Sequence, residues 1–213
     1  MLKKSLVSLV SIFALTVACA AMPASAADNN LYGVFSLGRA KLNADGSAVD
    51  GFDLRNGFTS SSTFSQTGAT GGKAQLGYYL GKTFALEGGY TYLGKADFAS
   101  ITNLGTIGGS TAVSLFNLDL VAKFPVNETF SVLARVGGYY WKTKNEMPNA
   151  TTRGNATVND NGFDFKAGAG VQYEFTPKFA MRGEFERFNG VGKSTTAGDA
   201  KVNQLTVGAV LKF

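Results

Sequence analysis

Glu87, Asp119, Arg135, Arg182 and Glu184 fall on the polar side of segments in which polar and apolar residues alternate, so their side chains share one face of a sheet. Paired carboxylates can exchange protons as a general acid and base, and planar guanidinium groups can hold carboxylates through two parallel hydrogen bonds. Glu184 and Glu186, two residues apart, also fit one wall of a packed polar interior. The chain contains no His, and its single cysteine is Cys19. A Ser or Thr nucleophile without an adjacent base stays weakly reactive, and the usual transition-metal ligands are missing. The residue types therefore argue against an enzyme and against a metal or other cofactor. The five charges read instead as a structural network whose arginines neutralise its carboxylates.

The segments that carry these residues have period two. They run Leu31 to Lys41, Lys73 to Leu80, Thr83 to Leu93, Ala112 to Phe124, Thr129 to Trp141, Phe163 to Phe175, Phe179 to Phe188 and Val202 to Phe213. In the middle of the chain, Phe116, Leu118, Leu120, Ala122 and Phe124 oppose Asn117, Asp119 and Lys123. The last segment sets Leu205, Val207, Ala209, Leu211 and Phe213 against Gln204, Thr206, Gly208 and Lys212. Termini usually fray, so a terminus patterned this regularly is expected to be paired into a sheet.

The connections alternate in length. Gly81-Lys82, Pro125 to Glu128 and Thr176 to Lys178 are tight turns, whereas Leu42 to Gly72, Gly94 to Thr111, Lys142 to Gly162 and Asn189 to Lys201 are long and rich in Gly, Ser, Thr and Asn. Long loops at one rim and short turns at the other predict an all-β, eight-stranded antiparallel up-and-down transmembrane β-barrel, with short periplasmic turns and long extracellular loops. Phe84, Phe124, Phe130, Phe175 and Phe179 flank the short turns as one aromatic girdle, joined there by Phe213; Tyr90, Tyr92, Tyr140 and Trp141 are expected to form the other. In hydrocarbon every backbone polar group needs a partner, so the last strand must pair with the first.

The N-terminus reads as an export signal: Lys3 and Lys4, an apolar run from Leu6 to Ala18, and the small residues Ala24-Ser25-Ala26. Cleavage after Ala26 divides the chain into a signal peptide, residues 1–26, and a barrel domain, residues 27–213. Cys19 leaves with the signal, so no disulfide is expected. The remaining basic residues are scattered among acidic ones without a stripe, which gives no footprint for nucleic acid. Gly71-Gly72-Lys73-Ala74 lacks the residues of a phosphate-binding loop, since Thr67 stands at the first required Gly and Ala74 replaces Ser or Thr.

The stretches NLYGVFSLG (Asn30 to Gly38), LEGGYTYLG (Leu86 to Gly94), VLARVGGYYWKT (Val132 to Thr143), MRGEFERF (Met181 to Phe188) and the terminal QLTVGAVLKF resemble the OmpA-type eight-stranded barrel of Gram-negative outer membranes. The resemblance covers the whole chain after the signal. It implies location in the outer membrane, contact with outer-membrane lipids, and recognition by the barrel-assembly machinery through Val207, Ala209, Leu211 and Phe213. Full-length OmpA carries a soluble peptidoglycan-binding domain beyond the barrel; the sequence stops at Phe213, so cell-wall anchoring is not carried over. Barrel enzymes of the outer membrane resemble one another in using a catalytic His, which this chain lacks. Soluble lipocalins share the strand number, but their Gly-X-Trp signature is missing.

Three functions fit this reading. The first is a structural or surface-interaction barrel, its lumen plugged by the charge network and its loops open to an unidentified extracellular partner. The second is a small porin-like channel, with the same charges as its filter. The third is a binder of a small apolar molecule. Eight strands leave an interior just wide enough to be filled by side chains, which favours the first.

Overall fold

The computed structural model describes residues 30–43, 60–64, 68–102, 105–148, 155–191 and 200–213. The expected signal peptide lies outside these residues. The strands are β1 (Leu31–Asn43), β2 (Ser60–Phe64), β3 (Ala69–Tyr79), β4 (Phe84–Thr102), β5 (Gly105–Pro125), β6 (Phe130–Pro148), β7 (Asn155–Thr176), β8 (Phe179–Val191) and β9 (Ala200–Lys212). All pairings are antiparallel, and the barrel closes because β1 pairs with both β3 and β9 while β4 pairs with β5. β2 is no separate stave. It pairs with the far half of β4, from Ser60 opposite Thr102 to Phe64 opposite Phe98, beyond the point where β3 leaves β4 at Gly72 opposite Tyr92. The result is an eight-stranded barrel with β2 continuing the β3 stave.

The short turns are closed by their own residues. Asn127 Oδ1 accepts the backbone N–H groups of Thr129 at 3.0 Å and Phe130 at 2.7 Å, and Thr176 Oγ1 accepts that of Phe179 at 3.0 Å. At the opposite rim the strands run much further than the sequence pattern suggests. β4 and β5 stay paired out to Thr102 opposite Gly105, and β6 and β7 out to Pro148 opposite Asn155. Much of Gly94–Thr111 and Lys142–Gly162, expected as loop, is therefore ladder. The hydrogen-bond ladder continues there among Gly, Ser, Thr and Asn, which carry too little apolar contrast to show a period of two.

The polarity of the two faces reverses along the barrel. In the half nearer the short turns, the outside is apolar, with Leu76, Leu118, Val136, Phe185 and Leu205 exposed, while the interior is mainly polar. Towards the long connections the interior becomes apolar, packing Leu93, Val113, Leu115, Tyr139, Trp141, Phe188 and Val202 together. Lys95, Lys142, Lys144, Asn159, Asn161 and Arg187 stand exposed outside at the same end. Trp141 therefore does not belong to the outer girdle. Adjacent strand residues point to opposite faces; Tyr140 takes the outside at 40% exposure, which sends Trp141 inward at 2%. A bulge at Gly94, with φ at 97°, helps the reversal in β4: Thr91 and Leu93 point inward before it, and Lys95 is exposed after it.

Candidate functional site

All five charged residues singled out by their parity lie in the lumen, and six consecutive strands, β3 to β8, bring charges to one cluster. β6 presents Arg135, whose Nη2 lies 2.5 Å from Glu87 Oε2 of β4 and 2.7 Å from Glu184 Oε1 of β8. Its Nη1 lies 2.9 Å from Asp119 Oδ2 of β5. From β8, Arg182 places Nη1 2.6 Å from Glu87 Oε1 and donates through Nε to Gln172 Oε1 at 2.9 Å. Tyr32 of β1 donates its hydroxyl to Glu87 Oε1 at 2.6 Å.

Lys73, Lys166 and Glu186 share the polar parity but stood outside the five-residue network expected from the sequence; they complete the cluster. Lys73 of β3 bridges Glu184 and Glu186, its Nζ 2.6 Å from Glu186 Oε2. Lys166 of β7 lies 2.6 Å from Glu186 Oε1 and 3.0 Å from Asp119 Oδ2. Four cations, Lys73, Arg135, Lys166 and Arg182, thus face four carboxylates, Glu87, Asp119, Glu184 and Glu186, all with side chains 0–3% exposed. The arrangement is forced by the register. Glu87 sits directly opposite Asp119 on adjacent strands, and Glu184 and Glu186 share one face of β8, so each acidic pair needs cations reaching from across the lumen. Gln75 and Asn117 add amide hydrogen bonds to Asp119 Oδ2 at 3.2 and 2.6 Å.

Apolar side chains lie on both sides of this layer. Towards the short turns, Tyr32, Val34, Ala85, Ala180 and Val210 pack with Tyr79, the two tyrosine rings 4.5 Å apart. On the other side lies the Trp141 cluster. β1 and β9 contribute no charge to this layer among the described residues; Lys212 of β9 pairs with Glu174 of β7 nearer the short turns, at 2.5 Å. On the β1–β9 wall Ser36 Oγ, Thr206 Oγ1 and both polar atoms of the Gln204 amide have no hydrogen-bond partner among the described residues.

Glycines give the network its room. A Cβ on Gly137 would stand 2.0 Å from Asp119 Oδ1 and 2.5 Å from the Leu118 carbonyl, whereas one on Gly81, in a turn, would meet nothing within 4 Å. Gly137→Val should lower stability towards urea in lipid vesicles by about 1–3 kcal/mol, and Gly81→Val by much less. Equal midpoints for the two variants would mean that Asp119 does not need that space. Outside the membrane-facing band, Glu146 lies 2.9 Å from Lys144 and 3.2 Å from Lys95; hydrogen bonds from these two ammonium groups hold its carboxyl below the usual carboxylate range.

The eight ion-paired residues of the cluster include no Ser, Thr or Cys, the one hydroxyl described on their carboxylates being that of Tyr32, and no group of metal-ligating side chains occurs among the described residues. Comparison with known proteins places the chain. The description "Outer membrane protein beta-barrel domain" matches residues 11–213. Outer membrane protein A of Klebsiella pneumoniae is 28% identical over 189 residues, covering 87% of this chain and 52% of that protein. The Serratia marcescens protein of the same name is 26% identical over 189 residues, covering 87% of this chain and 50% of its own length. The chain thus spans about half the length of the curated relatives it matches. Among solved structures, Neisserial surface protein A superposes with a TM-score of 0.57 at 13% identity, over 86% of this chain and 97% of that one. The attachment invasion locus protein Ail of Yersinia pestis, solved with the heparin analogue sucrose octasulfate, superposes at 0.51 and 16% identity, over 86% and 99%. At such identities these two structures speak for the fold.

Proposed function

Since the chain belongs to the outer membrane protein β-barrel domain family and so resides in the outer membrane of a Gram-negative bacterium, we propose that it is a non-catalytic barrel with a structural or surface-interaction role, its lumen plugged by the charge network. The observation that carries this reading is the balanced layer of four cations and four carboxylates between two apolar layers. An ion crossing it would have to break charge pairs and then pass through packed aromatic and aliphatic side chains. The Trp141 cluster also fills the space that a small apolar ligand would need.

Purified protein in planar bilayers should be electrically silent. Stable, reproducible conductance steps would overturn the plug in favour of a porin-like channel. One observation favours that second reading: the unpartnered polar atoms of Ser36, Gln204 and Thr206 line the β1–β9 wall, where water could run past the charges.

The same proposal includes export with cleavage after Ala26, and assembly through the closing strand. Val207, Ala209 and Leu211 stand on the outward face of β9, which joins β8 to β1; with Phe213 they form the segment proposed to be read by the assembly machinery. An extracellular partner, in this reading, meets the rim opposite the short turns.

A further inference from the structure

Asp119 and Lys166 stand on β5 and β7, with β6 between them, yet their side chains meet. The register explains how: Asp119, Gly137 and Lys166 are successive partners across the three strands, and the middle position carries no side chain. Lys166 Nζ lies 3.0 Å from Asp119 Oδ2, both side chains 0% exposed. Phe188, the next partner in the row, sets the centroid of its ring 5.2 Å from the same nitrogen.

The four carboxylates of the layer are not equally engaged. Glu87, Glu184 and Glu186 each hold cations or donors through both oxygens. Asp119 accepts only through Oδ2, from Gln75 at 3.2 Å, Asn117 at 2.6 Å and Arg135 at 2.9 Å as well as from Lys166, while its buried Oδ1 has no hydrogen-bond partner among the described residues. Donors gathered on one oxygen polarise the carboxyl group and stabilise negative charge there, as an oxyanion hole does. The other oxygen is left as the one that can depart. Glu186 completes the set: its Oε1 lies 2.6 Å from Lys166 Nζ and accepts that group's proton.

We propose that Lys166 and Asp119 join in an autocatalytic amide bond, with Glu186 carrying the protons. A proton of the Lys166 ammonium first passes to Asp119 Oδ1, leaving an amine beside a carboxylic acid; this costs less in a layer closed to solvent than in water, because burial penalises charge. The nitrogen lone pair then attacks Asp119 Cγ, and the C=O electrons move onto Oδ2, where Arg135, Asn117 and Gln75 stabilise them. Glu186 takes a proton from the attacking nitrogen and returns it to the Oδ1 hydroxyl. The Cγ–Oδ1 bond breaks, one water leaves, and Oδ2 becomes the amide carbonyl. Nothing is oxidised or reduced. One cation and one carboxylate disappear together, so the charges that remain in the layer still balance. The reaction happens once in each chain and acts on no substrate; its product staples β5 to β7 across β6, whether or not the barrel conducts.

The test is the intact mass of the mature barrel isolated folded from outer membranes. Wild type should weigh one water less than its sequence from the mapped N-terminus, and trypsin should leave residues 96–123 joined to residues 154–178, uncut at the acylated Lys166. Lys166→Arg keeps the charge but offers a guanidinium group, which stays protonated and does not attack, so this variant should show its full mass. Once unfolded by heat in SDS, the wild-type chain, closed into a loop, should migrate ahead of it. Glu186→Gln should lose the water in only a small fraction of chains. Lys123→Arg, which alters a lysine paired with Glu174 outside the cluster, should lose it as completely as wild type. Migration of unheated samples shows which variants have folded. Wild type at full mass, or a water loss that survives Lys166→Arg, would overturn the bond. Complete loss in folded Glu186→Gln would remove Glu186 from the chemistry.

Discussion

Arg135→Ala should lower the barrel's resistance to urea by about 3–5 kcal/mol, the cost of leaving buried charges without their partner. Arg135 touches Glu87, Asp119 and Glu184 within 2.9 Å and Glu186 at 3.5 Å, so its loss leaves three cations for four carboxylates in a layer closed to solvent. Arg135→Lys should recover part of the loss, because one ammonium keeps the charge but cannot reach several strands with a planar fork. Unfolding in lipid vesicles followed by circular dichroism measures the stability, and planar-bilayer recording of the same variant looks for a leak. A wild type that conducts steadily, with Arg135→Ala altering ion selectivity at unchanged stability, would make the cluster a filter and sink the plug.

Trp141→Ala is expected to be as damaging, at about 3–5 kcal/mol, for a different reason. Trp141 is 2% exposed in the apolar cluster with Leu115, Tyr139 and Phe188, so truncation leaves a cavity that a closed barrel cannot collapse to fill. Tyr140→Ala, at the neighbouring outward position, removes a ring of similar size that is 40% exposed and should cost far less. Urea midpoints for the pair decide the matter, with protease added from outside as a second readout of an opened upper barrel. Greater damage from Tyr140→Ala would reverse the facing assigned to β6.

The alternation made most of the architecture legible. Segments with apolar residues at every second position became staves, the short turns sit where Gly, Pro and Thr interrupt them, and the patterned last segment closes the barrel against β1. Facing was legible too, which is why Glu87, Asp119, Arg135, Arg182 and Glu184 could be chosen from parity. Lys73, Lys166 and Glu186 share that parity, but their part depends on which carboxylate lies across the lumen, and that follows from register between residues as far apart as Lys73 and Glu186. Strand length was misread for a related reason. Alternation is a signal of contrast between two environments, and beyond the apolar band the contrast weakens and then changes sign: Val113 and Leu115 point inward where Asn117 and Asp119 did a turn of the ladder earlier. Trp141 fell on the wrong side because an aromatic pair at the end of a strand looks like a girdle until its parity is followed strictly.

That change of sign divides the molecule thermodynamically. In the lower half most large apolar side chains face lipid, so opening the barrel within a bilayer alters their hydration little, and the apolar layer inside it, around Tyr32, is the smaller of the two. Around Trp141 the apolar side chains are hidden from water, and opening the barrel there wets them. Wetting apolar surface raises heat capacity, so the temperature dependence of stability is concentrated in the outward-facing half. Its cohesion has an optimum temperature and weakens on cooling as well as on heating, whereas the ion-paired half below holds by electrostatics, whose strength does not derive from water's response to apolar surface. Cooling is therefore expected to loosen the end of the protein that carries the larger buried apolar cluster before the end that seals the membrane.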